Sequence, residues 1–380
     1  MAKRAKEDDV LNAIDDELFS DLKSAINKEI PNSAFILGDD EAPTDVKEYV
    51  SSGSYQLDTL ISNKESGGGF PVGRVTEITG LEASGKSLLA IEACRDTQKK
   101  GGICIYIDTE NATDLTFLVN MGLNPKRLIY VQVPTTEEVF QVIEKTVERI
   151  TEKYKSKKNR PIVTVIWDSL AQTSTQAEVE GGYGDMQYAS QAKVIGKGMR
   201  KIVQFLGASN VCFIILNQLK YKIGVVFGDP LQSSGGMATK YACSVRVRLT
   251  RKGKLLGPDK KAIIGYETQA EVIKNKVGPP GGKCLFDIFF NRGVSDDSKV
   301  LDFLTSKGLV QEVTSQKSLF VLETGEGIEF KNKEWLNISR EHNEYIQRLV
   351  KKSLVTDLAN PEFNLSEVER VEVSESELPE

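Results

Sequence analysis

The segment Gly80-Leu81-Glu82-Ala83-Ser84-Gly85-Lys86-Ser87 restricts this chain more than any other. It has the form G-x-x-x-x-G-K-[ST], a glycine-rich turn that joins a strand to a helix and wraps a phosphate. The flanks agree. Val75-Thr76-Glu77-Ile78-Thr79 is largely β-branched, as a buried strand requires, and Leu88-Leu89-Ala90-Ile91-Glu92-Ala93-Cys94 reads as helix. The glycines let successive N–H groups turn towards an anion, and the following helix adds its positive end. Lys86 supplies a cation at the β- and γ-phosphates, and the Ser87 hydroxyl is placed for Mg2+. The bland alternative is a glycine-rich turn with an exposed lysine, and the strand and helix around it argue against that.

Such a loop needs a parallel sheet behind it. Strands are predicted at Val75–Thr79, Ile103–Asp108, Leu128–Val133, Ile162–Asp168 and Val211–Asn217, with helices at 87–100, 113–121, 136–155 and 189–206. Valine- and isoleucine-rich strands alternating with helices give an α/β fold whose central, mainly parallel sheet is covered on both faces. Ligands of such sheets bind at the carboxyl ends of the strands. Beyond Ala242 the character changes. Ser244–Thr250, Glu267–Lys274 and Cys284–Phe290 read as strands joined by turns at Lys252-Gly253-Lys254 and Pro279-Pro280-Gly281-Gly282, an antiparallel extension. From Ser295 a small α/β segment is expected, with helices near 298–306 and 341–352 and strands at Leu309–Val313 and Leu319–Leu322.

Both ends differ from this core. Val10, Leu11, Ile14, Leu18, Leu22, Ile26 and Ile30 fall near helical spacing, and Pro31-Asn32-Ser33 ends the run. That stripe buries itself on its own domain or on a neighbouring subunit, and the pattern alone leaves both open. Residues 33–72 are connecting. Glu362–Glu380 holds seven glutamates against one arginine, the composition of an acidic, disordered tail. The 380 residues suit two or three domains, and a content of 40% hydrophobic and 27% charged residues is ordinary for a globular protein. The formal net charge of −5 gives no global basic signature of a nucleic-acid binder, but it permits a local basic surface. Five scattered cysteines without a CxxC pair and a single histidine, His342, speak against zinc and for reduced, buried thiols in a cytosolic protein. No run reaches the roughly 18 apolar residues of a membrane span. Met1-Ala2-Lys3-Arg4 is not followed by the apolar run of a secretory signal.

Five further stretches carry chemistry. Ile162–Asp168 is an apolar strand ending in an acid, where a phosphate-loop protein places its second Mg2+-organising carboxylate. Ile103–Asp108 also ends in acids, and Glu110 just beyond is a candidate base for an attacking water; a surface acid at a strand end is the plain alternative. Asn217-Gln218 ends the next strand, where an amide can report the γ-phosphate. Immediately after it, Leu219–Lys240 reads as a long loop with Lys220, Lys222, Lys240, Tyr221 and Phe227. A second flexible stretch, Glu178–Tyr188, contains Gly181-Gly182-Tyr183-Gly184 and precedes Lys193 and Arg200 on a helix. Two loops with aromatic and basic groups on the nucleotide side of a sheet suggest contact with single-stranded nucleic acid, a lid over ATP being the alternative.

In this order, Gly80–Ser87, Tyr106–Glu110, Asp168-Ser169, Glu178–Asp185, Asn217–Asp229, Gly235-Gly236 and Val272–Val277 closely resemble the RecA family of strand-exchange ATPases, over about Ser33 to Val294. The resemblance implies a RecA-like P-loop core at 33–294, an N-terminal helical oligomerisation element at 1–32, a small C-terminal domain at 295–361 and the acidic tail at 362–380. It implies ATP and Mg2+ as ligands. Gly80, Leu81, Glu82, Ala83, Ser84, Gly85, Lys86 and Ser87 would cradle phosphate, with Ser87 and Asp168 serving the metal. Glu110 would be the general base and Gln218 the γ-phosphate sensor. Asp114 and Phe117 match positions at the adenine; Phe117 stands where tyrosine is usual. Lys274 and Lys276 would reach ATP across a subunit interface, and the N-terminal helix would dock on the adjacent protomer. Tyr188, Lys193, Arg200, Lys220, Tyr221, Lys222, Gly235 and Gly236 match DNA-contact or loop-geometry positions. Lys220 replaces the usual arginine, and Met186-Gln187-Tyr188 departs from the usual first loop.

The implied activity is DNA-dependent ATP hydrolysis coupled to homologous pairing and strand exchange. It would occur in a helical homo-oligomeric filament on single-stranded DNA that pairs with duplex DNA. Single-strand-binding and mediator proteins are further implied partners, and the cytoplasm of a bacterium or of a phage-infected host is the implied location. A hexameric, ring-shaped DNA helicase shares this kind of core and is the alternative activity. A non-hydrolysing ATP-binding scaffold is a third reading, and the set Lys86, Ser87, Glu110 and Asp168 argues against it.

Overall fold

The computed structural model describes residues 16–31, 33–36, 46–110, 114–156, 159–181, 188–207, 209–221 and 231–359. The expectations for Val10, Leu11, Ile14, 182–187, Lys222, Phe227 and the acidic tail therefore lie outside the described residues. The chain divides into two compact units at Val46/Lys47. In the first, α1 (Asp16–Glu29) shows the expected stripe, with Leu18, Leu22, Ile26 and, just past its end, Ile30 all about half exposed. Asn27 ties off the turn after it: its side-chain oxygen accepts from the Ser33 and Ala34 amides at 2.9 and 3.0 Å.

The second unit opens with a short ladder, β1 (Tyr49–Val50) on β2 (Phe70–Pro71), which flanks α2 (Tyr55–Ser62). The α/β alternation comes next: β3 (Val75–Gly80), α3 (Lys86–Lys99), β4 (Ile103–Asp108), α4 (Leu115–Asn120), β5 (Leu128–Val131), α5 (Thr136–Lys153), β6 (Val163–Asp168), α6 (Gln176–Glu180), α7 (Tyr188–Leu206) and β7 (Val211–Tyr221). Then come β8 (Leu231–Ser233), α8 (Gly236–Ala242), β9 (Val245–Leu256), β10 (Ile263–Asn275), β11 (Lys283–Phe289) and β12 (Gly293–Ser295). The main sheet runs β12-β11-β10-β9-β3-β7-β6-β4-β5, with β8 on β7. From β9 to β5 every pairing is parallel; β9 to β12 pair antiparallel, the expected extension.

Strand period sets the two cores. On one face Ile78, Tyr106, Ile166 and Ile214 pack against Leu89, Ala90 and Cys94 of α3. On the other, Val165, Trp167, Phe213 and Ile215 pack against Phe140 of α5 and Ile195, Met199 and Ile202 of α7. Trp167 meets the Phe140 ring edge-on at 5.6 Å and donates to Thr173 Oγ1 at 2.9 Å.

The rest of this unit is α9 (Asp297–Ser306), a three-stranded antiparallel sheet of β13 (Val310–Thr314), β14 (Lys317–Val321) and β15 (Gly327–Lys331), then α10 (Trp335–Glu341) and α11 (Asn343–Ala359). Val300, Phe320, Phe330 and Trp335 belong to the same apolar cluster as the α3 face of the main sheet.

Three local expectations are corrected. Leu219–Lys240 is not structureless: β7 runs on to Tyr221 and pairs with β8, Leu219 opposite Ser233 and Tyr221 opposite Leu231, with α8 just beyond. Lys252-Gly253-Lys254 is no turn. It continues β9, with Gly253 opposite Glu267, and the reversal comes at Gly257–Ala262, where Asp259 accepts from the Lys261 and Ala262 amides. The C-terminal sheet has a third strand, β15, and a helix the sequence reading lacks, α10, comes before α11, which covers the helix expected near 341–352.

Candidate active site

Because β3, β7 and β6 run parallel, their carboxyl ends bring together residues far apart in sequence. Gly80 is in register with Gln218, and Asp108 with Asp168. The loop after β3 turns through Ala83 at φ +55° and Gly85 at φ +97° before α3 begins. A side chain at Gly85 would meet strain and the Ile288 side chain together. Lys86 folds back over the loop, and its ammonium donates to the carbonyls of Gly80 (3.1 Å) and Leu81 (2.9 Å). Burial pulls its pKa down, while Asp168, Glu110 and Glu82 hold it up. The Ser84 hydroxyl is buried in the loop without a protein partner.

The acids converge on this lysine. Asp168 Oδ2 accepts from Ser87 Oγ at 3.0 Å and from the Tyr106 hydroxyl at 2.6 Å. Burial raises the Asp168 pKa; the two hydrogen bonds oppose this, and Glu110 and Asp108 add like-charge repulsion. Glu110 Oε1 accepts from Ser169 Oγ at 2.5 Å and from Gln218 Nε2 at 3.2 Å. Gln218 in turn leads directly into the β7–β8 hairpin. Ser87, Asp168, Glu110 and Gln218 are thus gathered beside Lys86. Crowded carboxylates with one ammonium among them favour a further cation, and a hydroxyl with a carboxylate is the hard-oxygen donor set that Mg2+ takes alongside phosphate and water. The orphaned Ser84 hydroxyl and the loop's helix N-terminus fit an anion at the same place.

A cavity of about 200 Å3 opens against this loop, lined by Ala83–Leu88 on one side and by Tyr266, Thr268, Ile288 and Phe290 on the other. Tyr266 and Phe290 meet edge to face at 5.4 Å, and the Arg251 guanidinium lies 4.6 Å from the centre of the Tyr266 ring. This aromatic wall was not foreseen, because the long β9–β10 hairpin and β11 bring it to the loop from nearly two hundred residues away. Tyr106 and Ser169 stand in the stretches Tyr106–Glu110 and Asp168-Ser169 that carry the family resemblance, but the sequence assigns neither a role; the structure shows them bonded to Asp168 and Glu110. Asp114 caps α4 by accepting from the Phe117 amide at 3.1 Å, and Phe117 is partly exposed. Neither lines the cavity.

Lys274 and Lys276 are elsewhere. Lys274 is opposite Arg246, which is opposite Glu77, three residues before the phosphate loop begins. That offset is about 10 Å along the strand, and β10 is two strands away from β3, about another 10 Å. The Lys274 ammonium instead donates to the carbonyls of Lys240 (2.5 Å) and Tyr241 (3.1 Å) at the end of α8.

The remaining candidates lie on α7, β7 and α8. Lys193 and Arg200 are exposed, two helical turns apart on one side of α7. Lys220 and Tyr221 are exposed at the end of β7. Gly235, at φ +88°, precedes α8, and a Cβ there would run into Thr239 Oγ1 and the Leu170 side chain, whereas one at Gly236 would only touch Ala192. Tyr188 begins α7. Among the described residues, no helix is long and apolar enough to cross a membrane.

Comparison with known proteins agrees on one family. The family described as RecA N-terminal domain matches residues 18–295. A protein named "Protein RecA" from Wolbachia sp. subsp. Brugia malayi is 34% identical over 287 residues, 76% of each chain. Namesakes from Cereibacter sphaeroides (35% over 282 residues, 74% of this chain and 78% of the relative) and Borrelia hermsii (34% over 310 residues, 82% and 79%) are similar.

Proposed function

Since the chain belongs to the RecA family of ATP-dependent recombination proteins, we propose that the group around Lys86 hydrolyses ATP at a subunit interface and that the β7–β8 hairpin reports this to DNA. The protein is a DNA-dependent ATPase of homologous pairing and strand exchange; the family does not favour the ring-helicase reading. The observation that carries the proposal is Glu110, shared between Ser169 and Gln218 at the point where β7 enters the hairpin.

Lys86 would exchange the carbonyls of Gly80 and Leu81 for phosphate oxygens, with loop amides 81–87 and the Ser84 hydroxyl around them. Ser87 and Asp168 would hold Mg2+, which would supply charge neutralisation at the phosphates. Glu110, oriented by Ser169, would take the proton of the attacking water, and Gln218 would track the γ-phosphate. The aromatic wall of Tyr266 and Phe290, together with Asp114 and Phe117, would hold the base. Lys274 and Lys276, remote from their own phosphate loop, would neutralise transition-state charge on the nucleotide of the next copy. Such a head-to-tail contact builds an open helical filament, with the exposed stripe of α1 docking on the neighbour. Tyr188, Lys193, Arg200, Lys220, Tyr221 and Lys222 would face single-stranded DNA, with Gly235 and Gly236 fixing the return of the loop. We read the domains as 1–32, 33–294, 295–361 and the tail 362–380, acting in the cytoplasm of a bacterium or a phage-infected host, where single-strand-binding and mediator proteins would assist. A three-strand assay tests the reading. Pairing of a homologous duplex with single-stranded DNA and ATP is expected, and unwinding of any tailed duplex without a homology requirement would overturn it.

A further inference from the structure

Glu77 occupies the middle of β3, and the reading above gives it no task. Its side chain is fully buried. A buried carboxylate is costly unless paired. Here one oxygen accepts from Arg246 Nε at 2.5 Å and the other from Asn217 Nδ2 at 2.8 Å. The same Asn217 amide nitrogen donates to the Ser234 carbonyl at 2.8 Å, while the Asn217 side-chain oxygen is buried without a partner. Asn217 is therefore held through its NH2 group alone, by Glu77 on one side and by the returning end of the β7–β8 hairpin on the other. Arg246 stands directly opposite Lys274 on β10.

Glu77 thus ties the strand that enters the phosphate loop to Asn217, the residue before Gln218, and to Arg246 on β9; Asn217 extends the chain of contacts to Ser234, where the hairpin returns, and Arg246 stands beside Lys274 of the next strand. A buried ion pair is weak evidence for stability, because apolar replacements of such pairs are often neutral. An apolar side chain could fill the space but could not hold both Asn217 and Arg246.

We propose that Glu77 is a positioning residue that couples the nucleotide site to the β7–β8 hairpin and to the lysine strand by holding Asn217 and Arg246 at fixed distances from β3. This rests on the proposed function and adds the element through which the site is regulated. Shifts at Gln218 pass to Asn217, its neighbour on the same strand, and from there to Ser234 and Glu77 through buried polar contacts.

The test uses the full-length protein, ATP turnover with and without single-stranded DNA, and backbone hydrogen exchange over 231–242. Glu77→Gln keeps the volume and one acceptor but removes the charge facing Arg246. Turnover without DNA and its KM should stay within about twofold, while the DNA-stimulated increment falls on the order of tenfold, a typical coupling between sites. A non-hydrolysable ATP analogue should no longer slow exchange at 231–242. Asn217→Asp, which sets two buried carboxylates together and removes the donor to the Ser234 carbonyl, should lose stimulation as well. Should Glu77→Gln fail to fold, the neutral pair Glu77→Gln/Arg246→Gln replaces it, with the same expected loss. Full stimulation in a folded variant, retained protection by the analogue, or equal loss with and without DNA would each overturn the inference. Absence of DNA stimulation in the unaltered protein would instead sink the functional reading on which it rests.

Discussion

Asp296 should make the stability of the fold depend on pH, and replacing it by asparagine should remove that dependence. The residue precedes α9 and faces the start of α2, where its carboxylate accepts from Ser54 Oγ at 2.7 Å and from Gln56 Nε2 at 3.4 Å. Burial pushes its pKa up to about 7, against the Ser54 hydrogen bond and with help from the Asp58 charge. An unfolded aspartate titrates near about 4. Between those values the folded protein keeps a proton that the unfolded chain has lost. The contribution is complete below about pH 4 and is lost as pH rises through about 7. Some three pH units at about 1.4 kcal/mol each make it about 4 kcal/mol. Asp58, pushed up to about 6 by burial against bonds from Ser51 and Ser52, acts in the same direction. Asp296→Asn keeps an acceptor for Ser54 and cannot titrate. Urea unfolding, monitored by fluorescence of the buried Trp167 and Trp335, measures both proteins across this range. The variant's stability relative to the original should rise by about 4 kcal/mol from pH 4 to pH 8. A difference that stays flat with pH would refute the argument.

Glu110→Gln should slow ATP turnover by about 10²–10⁴-fold, the usual worth of a general base, while calorimetry shows nucleotide binding retained, since glutamine can still accept from Ser169. Gly85→Ala forces a side chain into the left-handed region and against Ile288; melting should reveal a loss of about 1–3 kcal/mol together with weakened nucleotide binding. Phe290→Ala opens the aromatic wall and should weaken ATP binding by about 3–10-fold with little change in the maximal rate, as a steady-state titration would show.

The phosphate loop and the parallel core were legible in the sequence because both obey local rules. A G-x-x-x-x-G-K-S turn is read within eight residues, and buried parallel strands such as Val163–Asp168 are runs of valine and isoleucine. What local rules miss is pairing across distance. Gly253 reads as a turn glycine, yet it lies within a strand because Glu267 stands opposite it. Leu219–Tyr221 reads as the start of a loop, yet β8 returns to pair with it. The site divides the same way. Acids at strand ends, Glu110 and Asp168, could be named from the sequence. Their partners Tyr106 and Ser169, the aromatic wall at Tyr266 and Phe290, and the Glu77 junction emerge only once strands far apart in sequence lie side by side.

In the proposed mechanism each nucleotide is shared between two copies of the chain, with Lys86 from one and Lys274 and Lys276 from the next. Mixing Lys86→Ala protein with Lys274→Ala/Lys276→Ala protein on single-stranded DNA and measuring ATP turnover tests it most directly. Each variant alone has no competent site. A shared site predicts that mixed filaments regain part of the DNA-stimulated activity, at junctions where an intact phosphate loop meets intact lysines. No recovery in filaments shown by energy transfer between labelled copies to be mixed would contradict the account.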